Sequence, residues 1–330
     1  LDLLTIARSR KHIVKYYGTN ETGRFPERLK PVNFKPDVDI SGEFPRVARI
    51  NSEIQHLNLG AYSPLSYVFE SRLPVYEKRY GTVLANGNRK FNQKDREQSL
   101  IHLMRVNMLK RMESSVHSFG LTVARQLDEV DELLRRIDAG PDEIDGVSFD
   151  DIDDIESPDF ESQLVGRKVK VLLKDVDLIK WRQDLQEDRN RLATLNSLAR
   201  SVGHERDAKL AQLREMISSK VASPINPGNR KVLVFTAFAD TAEYLYKALH
   251  EWARDDLGLH VGLLTGTGTN KSTIPGLHAD FASILTAFSP RSKERAAELA
   301  DEGEIDLLIA TDCISEGQNL QDCDTLVNYD

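Results

Sequence analysis

The densest set of polar groups that could do chemistry lies near the end of the sequence. Thr311, Asp312, Ser315, Glu316, Gly317 and Asn319 occupy a turn between two short apolar runs, Leu307 to Ala310 and Thr325 to Tyr329. Both runs have the length and bounding residues of buried parallel strands. Open α/β sheets bind ligands in the crevice beyond the carboxyl ends of such strands. Thr311 offers a hydroxyl and a neighbouring amide to a phosphate, and Asn319 can donate and accept. Gly317 lets the backbone approach a ligand closely. Three other stretches could join this turn. Lys231 to Phe238 reads as a strand ending in Thr236, and Leu263-Leu-Thr265-Gly266 ends another. Ser292-Lys-Glu-Arg295 opens a helix, from which Arg295 could reach a phosphate or pair with Glu294 or Glu298.

One stretch imitates a phosphate loop. Thr265-Gly-Thr-Gly-Thr-Asn-Lys-Ser272 has Asn270 before Lys271, where a Walker loop needs Gly, and Thr265 where it needs the earlier Gly. The dinucleotide fingerprint fails too, with Lys271 in place of its last Gly. No other stretch forms a Walker loop or an acidic box suited to Mg²⁺. No catalytic residue and no metal-ligand set is therefore assigned. No His–Cys spacing suits zinc, and Cys313 and Cys323 read as a reduced pair rather than a disulfide framework.

The elements that must position these residues change character along the chain. Helical spacing is expected over 2–17, where Arg8, Lys11 and Lys15 share a basic stripe, and again over 44–58 and 64–80, the latter interrupted at Pro74. Residues 83–92 read as a polar turn. Arg96 to Phe119 has a Met-rich apolar face and is ended by Gly120; Leu121 to Ile137 follows. Over Val176 to Val202, Leu178, Leu185, Leu192 and Ala199 repeat every seven residues, as do Trp181, Asp188, Leu195 and Val202. That coiled-coil-like stripe, with Asp188 its one polar misfit, should pack on another helix of the same chain. Glu205 to Lys220 is a further helix and 223–229 a linker. Beyond it come strand 232–235, helix 240–252, strand 261–264, an insertion at 267–288, helix 291–301 and the two apolar runs. This order predicts an open, mostly parallel α/β lobe behind a large mainly helical region.

The strand-end motifs, in this order, resemble the second RecA-like lobe of superfamily-two helicases, and within them the Swi/Snf-type, bacterial RapA/HepA-like branch. Residues 292–330 carry the resemblance most closely, through Asp306-Leu-Leu-Ile-Ala-Thr-Asp, Ser315-Glu-Gly-x-Asn-Leu-Gln and Asn328-Tyr-Asp. Residues 231–266 are similar to the preceding motif and strand, Asp207-x-Lys209-Leu210 to a helix just ahead of the lobe, and Ala7-Arg-Ser-Arg-Lys11 to the segment between lobes. The resemblance implies an ATP-dependent translocase. It assigns Thr236, Thr265, Thr311 and Ser315 to a nucleic-acid backbone, supported by Arg295, and turns Gly317 and Asn319 toward ATP. It implies domains at 1–43 (end of the first lobe and linker), 44–220 (helical protrusion) and 221–330 (second lobe, incomplete). ATP and Mg²⁺ would be held only in an intact protein that supplies a phosphate loop and an arginine finger, so the chain by itself is expected to be inactive. Double-stranded DNA is the expected track. The rival readings are a helical module with a degenerate lobe that binds a partner such as RNA polymerase, and the motor of a restriction or defence nuclease.

Composition fits a globular protein. Hydrophobic residues make up 40% and charged residues 29%. No apolar run reaches the ~18 residues of a membrane span and no signal peptide is read, so a cytoplasmic location is expected. The net charge of −8 argues against nucleic acid until its distribution is considered. Asp138 to Glu161 holds eleven acidic residues and no Lys or Arg; without those charges the balance becomes +3. The run lacks the alternating ligands and central Gly of a calcium loop and reads as a mobile insertion.

Overall fold

The computed structural model describes residues 12, 14–17, 29–80, 82–83, 90–91, 93–140, 143–145, 169–266, 270–295, 303–314 and 318–330. Residues 1–36 and 37–330 form two compact units. In the first, residues 14–17 are helical; the rest of the expected 2–17 helix, apart from His12, lies outside the described residues. All that follows concerns the second.

Its helical part is built on α1 (Val47–Gln55), α2 (Leu73–Tyr80), α3 (Gln93–Ser114), α4 (Val116–Ala139) and α5 (Leu178–Ser201). Pro74 does not interrupt a helix. It sits in the first turn of α2, where its missing N–H costs nothing, and a separate 3₁₀ turn covers Pro64–Tyr67. Gly120 does not end α3 either. The break falls at Ser115, which is extended (φ −155°, ψ 147°) and N-caps α4 by accepting from the Ser118 N–H. Gly120 lies within α4, where a Cβ would stand 3.1 Å from Ala199 Cβ.

That close approach belongs to the α4–α5 pair. The Arg189–Asp131 and Arg182–Asp138 pairs, at 2.5 and 3.0 Å, fix the two helices as antiparallel neighbours. The heptad stripe of α5 faces inward: Trp181, Leu185, Leu192, Leu195 and Ala199 are buried, and so is Asp188. The core continues through Ile50, Ile54, Leu57, Leu65, Met104, Met108 and Phe119. Asp138 lies near the end of α4, and Glu143–Asp145 pairs antiparallel with Lys170–Leu172; residues 146–168 lie outside the described residues. A second short ladder joins Thr82–Val83 to Lys90–Phe91, overlapping the stretch 83–92 expected to be a turn.

The remainder is α6 (Ala208–Ala222), β1 (Val232–Phe235), α7 (Ala239–Leu257), β2 (Val261–Leu264), β3 (Lys271–Ser272), α8 (Phe281–Phe288), β4 (Leu307–Ala310) and β5 (Thr325–Asn328). The sheet order is β3-β2-β4-β1-β5. All pairs are parallel except β2–β3. This is a mixed α/β fold with a mostly parallel five-stranded sheet behind a helical region. The three inner strands β1, β2 and β4 are continuous apolar runs because both of their faces are covered, whereas β5 alternates and leaves Leu326 exposed. Val232, Val234, Leu263 and Ile309 meet α6 and α7, while Leu233, Leu264, Leu308 and Ala310 meet α8. Residues 267–288 are thus not a mere insertion: they supply an edge strand and the Ile284, Leu285 and Phe288 side of the core. The expected 291–301 helix is a turn at 291–294, and 296–302 lie outside the described residues. Among the described residues no helix is long and apolar enough to cross a membrane.

Candidate nucleic-acid interface

Register sets the site. Phe235 and Leu264 both pair with Ala310, so Thr236, Thr311 and Thr265 follow at one level on three adjacent strands. Backbone bonds hold the row: the Thr236 N–H donates to Ala310 O and the Thr311 N–H to Leu264 O, both at 3.1 Å. All three threonines are buried, at 2–4% exposure. Their hydroxyls differ. Thr236 Oγ1 donates to Asp330 Oδ1 at 3.0 Å and meets Ser114 Oγ at 3.3 Å. Thr311 Oγ1 accepts from the Gly266 N–H at 3.4 Å. Thr265 Oγ1 has no partner among the described residues, although its own N–H donates to Asn270 Oδ1 at 3.3 Å. A buried hydroxyl without a partner is uncommon and calls for an explanation.

The sheet edge is braced by the helical part. Arg111, 1% exposed, donates to Thr122 Oγ1 at 2.6 Å and to Asp240 Oδ2 at 2.7 Å, and its guanidinium lies 4.8 Å from the Phe238 ring centroid. Beside it, Thr241 Oγ1 meets the hydroxyls of Ser114, Ser115 and Ser118 at 2.8, 3.2 and 2.7 Å. Lys209 Nζ donates to Glu113 O and Ser114 O at 2.6 and 2.9 Å and lies over the Tyr329 ring. Burial pulls its ammonium below the usual lysine range. The last turn of α3, the strand-end loop of β1 and the start of α6 are thereby one assembly.

The other site candidates fall elsewhere. Arg295 Nη1 donates to Gly303 O at 2.6 Å. Gly303 packs beside His260, which precedes β2. Arg295 therefore braces the amino end of the strands, opposite the threonine row, with a four-residue strand of about 13 Å between. Ser315 and Gly317 lie outside the described residues. Asn319 is exposed and makes no hydrogen bond among the described residues. One exposed amide without a cation cannot hold a triphosphate, so no step of nucleotide chemistry is derived from these residues. Among the described residues no group of three or more His, Cys, Asp or Glu could hold a metal, and no disulfide joins Cys313 to Cys323.

Ser114, Thr241, Arg111 and Asp240 were not sequence candidates. A signal existed for one: Met104, Met108 and Arg111 share an i, i+4, i+7 stripe, so a charge stands on the buried face of α3. With the geometry laid out, comparison with known families bears on its class. Residues 208–330 match the helicase conserved C-terminal domain. The match spans α6 and the whole sheet. It supports a helicase-superfamily lobe and points to a nucleotide-binding, nucleic-acid motor; it says nothing of the branch. No curated protein matches the chain.

Proposed function

We propose that residues 208–330 form one lobe of an ATP-dependent nucleic-acid translocase of the Swi/Snf type, moving on double-stranded DNA. The observation that carries this reading is the helicase C-terminal match laid over three threonines that end adjacent parallel strands. In this reading Thr265, Thr311 and Ser315 touch the phosphate backbone, with Thr236 joining them once its hydroxyl leaves Asp330. Arg295 donates to Gly303 O at the far end of the strands rather than touching the track. Gly317 and Asn319 face ATP, whose Mg²⁺ and phosphate loop belong to a facing lobe. Phosphate contacts make binding weakly sequence-specific and steeply salt-dependent.

Anisotropy of a labelled DNA duplex, read across salt concentrations, tests the lobe. The 330-residue chain should bind weakly, and Thr265→Val and Thr311→Val should each weaken binding by about three- to tenfold, the loss of one hydrogen bond. Unchanged affinity in both variants overturns the threonine assignment. DNA-stimulated ATP hydrolysis by the purified chain overturns the half-cleft reading, since the chain carries no Walker loop.

A further inference from the structure

Two to four turns back along α3 from the sheet edge, a cleft of about 240 Å³ opens between α3 and α5. Gln98, Ile101, His102 and Arg105 line it from α3, Lys180 and Asp184 from α5, and Asn58, Ser63, Ser66 and Tyr67 from the connecting segment. Its walls are tied down. Asp188 accepts from the Asn58 and Gly60 N–H groups at 2.6 and 3.1 Å, and Trp181 Nε1 donates to Gly60 O at 2.9 Å. Arg105 Nη2 donates to Leu57 O at 2.7 Å, and Gln98 Nε2 to Ser66 Oγ at 3.1 Å.

Donors outnumber acceptors here. The Lys180 ammonium, the His102 ring and the Asn58 amide make no hydrogen bond among the described residues. Ser66 accepts from Gln98 and keeps its own O–H to give. The one carboxylate, Asp184, already receives the Tyr67 O–H at 2.9 Å. Among the lining side chains, Lys180 and Arg105 against Asp184 leave a net positive charge, and the Asp188 carboxylate behind the wall is engaged by the Asn58 and Gly60 N–H groups. The space is below the ~300–1,000 Å³ of pockets that enclose whole drug-sized ligands, so it suits one polar group rather than an entire nucleotide. Donors contributed by three elements around one small cleft fit a tetrahedral anion.

We propose that this cleft seats a phosphate group, held by Lys180 and His102 at the rim and Arg105 at the wall. The group comes either from a nucleic-acid backbone or from a small phosphorylated molecule. The seat stands whether or not the sheet edge binds nucleic acid.

Inorganic phosphate is the probe. The His102 Cε1–H resonance, identified by its loss in His102→Gln, should move saturably with phosphate at constant ionic strength. Lys180→Glu should weaken that binding by about tenfold, as reversal of a directly contacting charge does. Lys180 and His102 are exposed, so unchanged thermal unfolding will show that both variants fold. Competition then separates the sources, and either result keeps the seat. Displacement of phosphate by a natural duplex, but not by its uncharged methylphosphonate counterpart, marks a backbone site; displacement by neither duplex marks a site for a small phosphorylated ligand. A His102 signal that does not move, that moves equally with chloride, or that responds identically in Lys180→Glu overturns the proposal.

Discussion

Asp188 shows how a residue can be visible in sequence while its purpose is not. It interrupts a heptad of apolar side chains, a pattern that could equally mark a register device. The fold gives it a different task. Its buried carboxylate accepts the N–H groups of Asn58 and Gly60, on either side of Leu59, a non-glycine residue at φ +53°. Those partners are 128 or more positions away in sequence, so periodicity along one helix cannot reveal them. The threonine row was legible because each member directly follows a bounded apolar run. Arg295 was not, since spacing within a helix does not say which end of a sheet the helix meets. Burial raises the Asp188 pKa from 3.8 to about 6, outweighing the backbone N–H groups that oppose the rise. The folded value lies above the unfolded one, so the unfolded chain releases its proton first. The contribution to stability is therefore greatest below about pH 4 and declines as pH rises toward 6. Asp39 acts in the opposite sense: the Arg206 guanidinium holds its carboxyl well below the usual range, so its contribution is present at neutral pH and lost in acid. Asp188→Asn isolates the first effect. An amide has one acceptor oxygen for two N–H groups, so the variant should be destabilised by about 1–3 kcal/mol at low pH. That deficit should narrow toward neutrality, because only the wild type loses stability through this site. Urea midpoints across pH measure it, and a deficit that widens with pH contradicts the assignment.

Elements were more legible than the seams between them. The inward stripe of α5 and its partner helix follow from a seven-residue repeat, and β1, β2 and β4 from continuous apolar runs. The α3–α4 break was misplaced because Gly120 is the stronger breaker by propensity. Tertiary packing overrides that propensity: Gly120 is kept for the approach of Ala199, and Ser115 supplies the cap. The same break creates the joint with the sheet, since it turns Ser114, Ser115 and Ser118 together toward Thr241. Arg111→Met should test the joint. It removes the guanidinium that pairs with Asp240, whose side chain is 20% exposed. The cost should be about 3 kcal/mol, at the low end for breaking a buried pair because Asp240 keeps some contact with water. Adding Asp240→Asn should recover part of it, since no carboxylate then loses its cation. Equilibrium denaturation of the two variants supplies the comparison. A loss below about 1 kcal/mol in Arg111→Met, within the range of a surface pair, means that the joint rests on the hydroxyl cluster instead.

At the scale of the whole molecule, charge distribution matters more than its sum. A chain of net charge −8 is a poor candidate for a polyanion, yet eleven of its acidic residues fall within Asp138 to Glu161. Three of them have defined places apart from the sheet lobe: Asp138 pairs with Arg182, and Glu143 and Asp145 join a two-stranded ladder. The acids from Asp150 to Glu161 act on a nucleic-acid ligand through their field alone, unless they touch it. Seven are present there, and converting all seven to amides takes the net charge from −8 to −1. If the threonine row binds DNA, this substitution should raise duplex affinity about tenfold or more at low salt, chiefly through faster association. The gain should shrink at 0.15 M salt, where screening acts over about 8 Å, and vanish near 1 M. Thr265→Val in the same background should still weaken binding by its own factor, because a hydrogen bond at the strand ends and a long-range field are separate contributions. Affinity that rises equally at low and high salt means that the acidic run competes for the site by contact. Affinity that does not rise at all places the binding surface beyond the reach of its field.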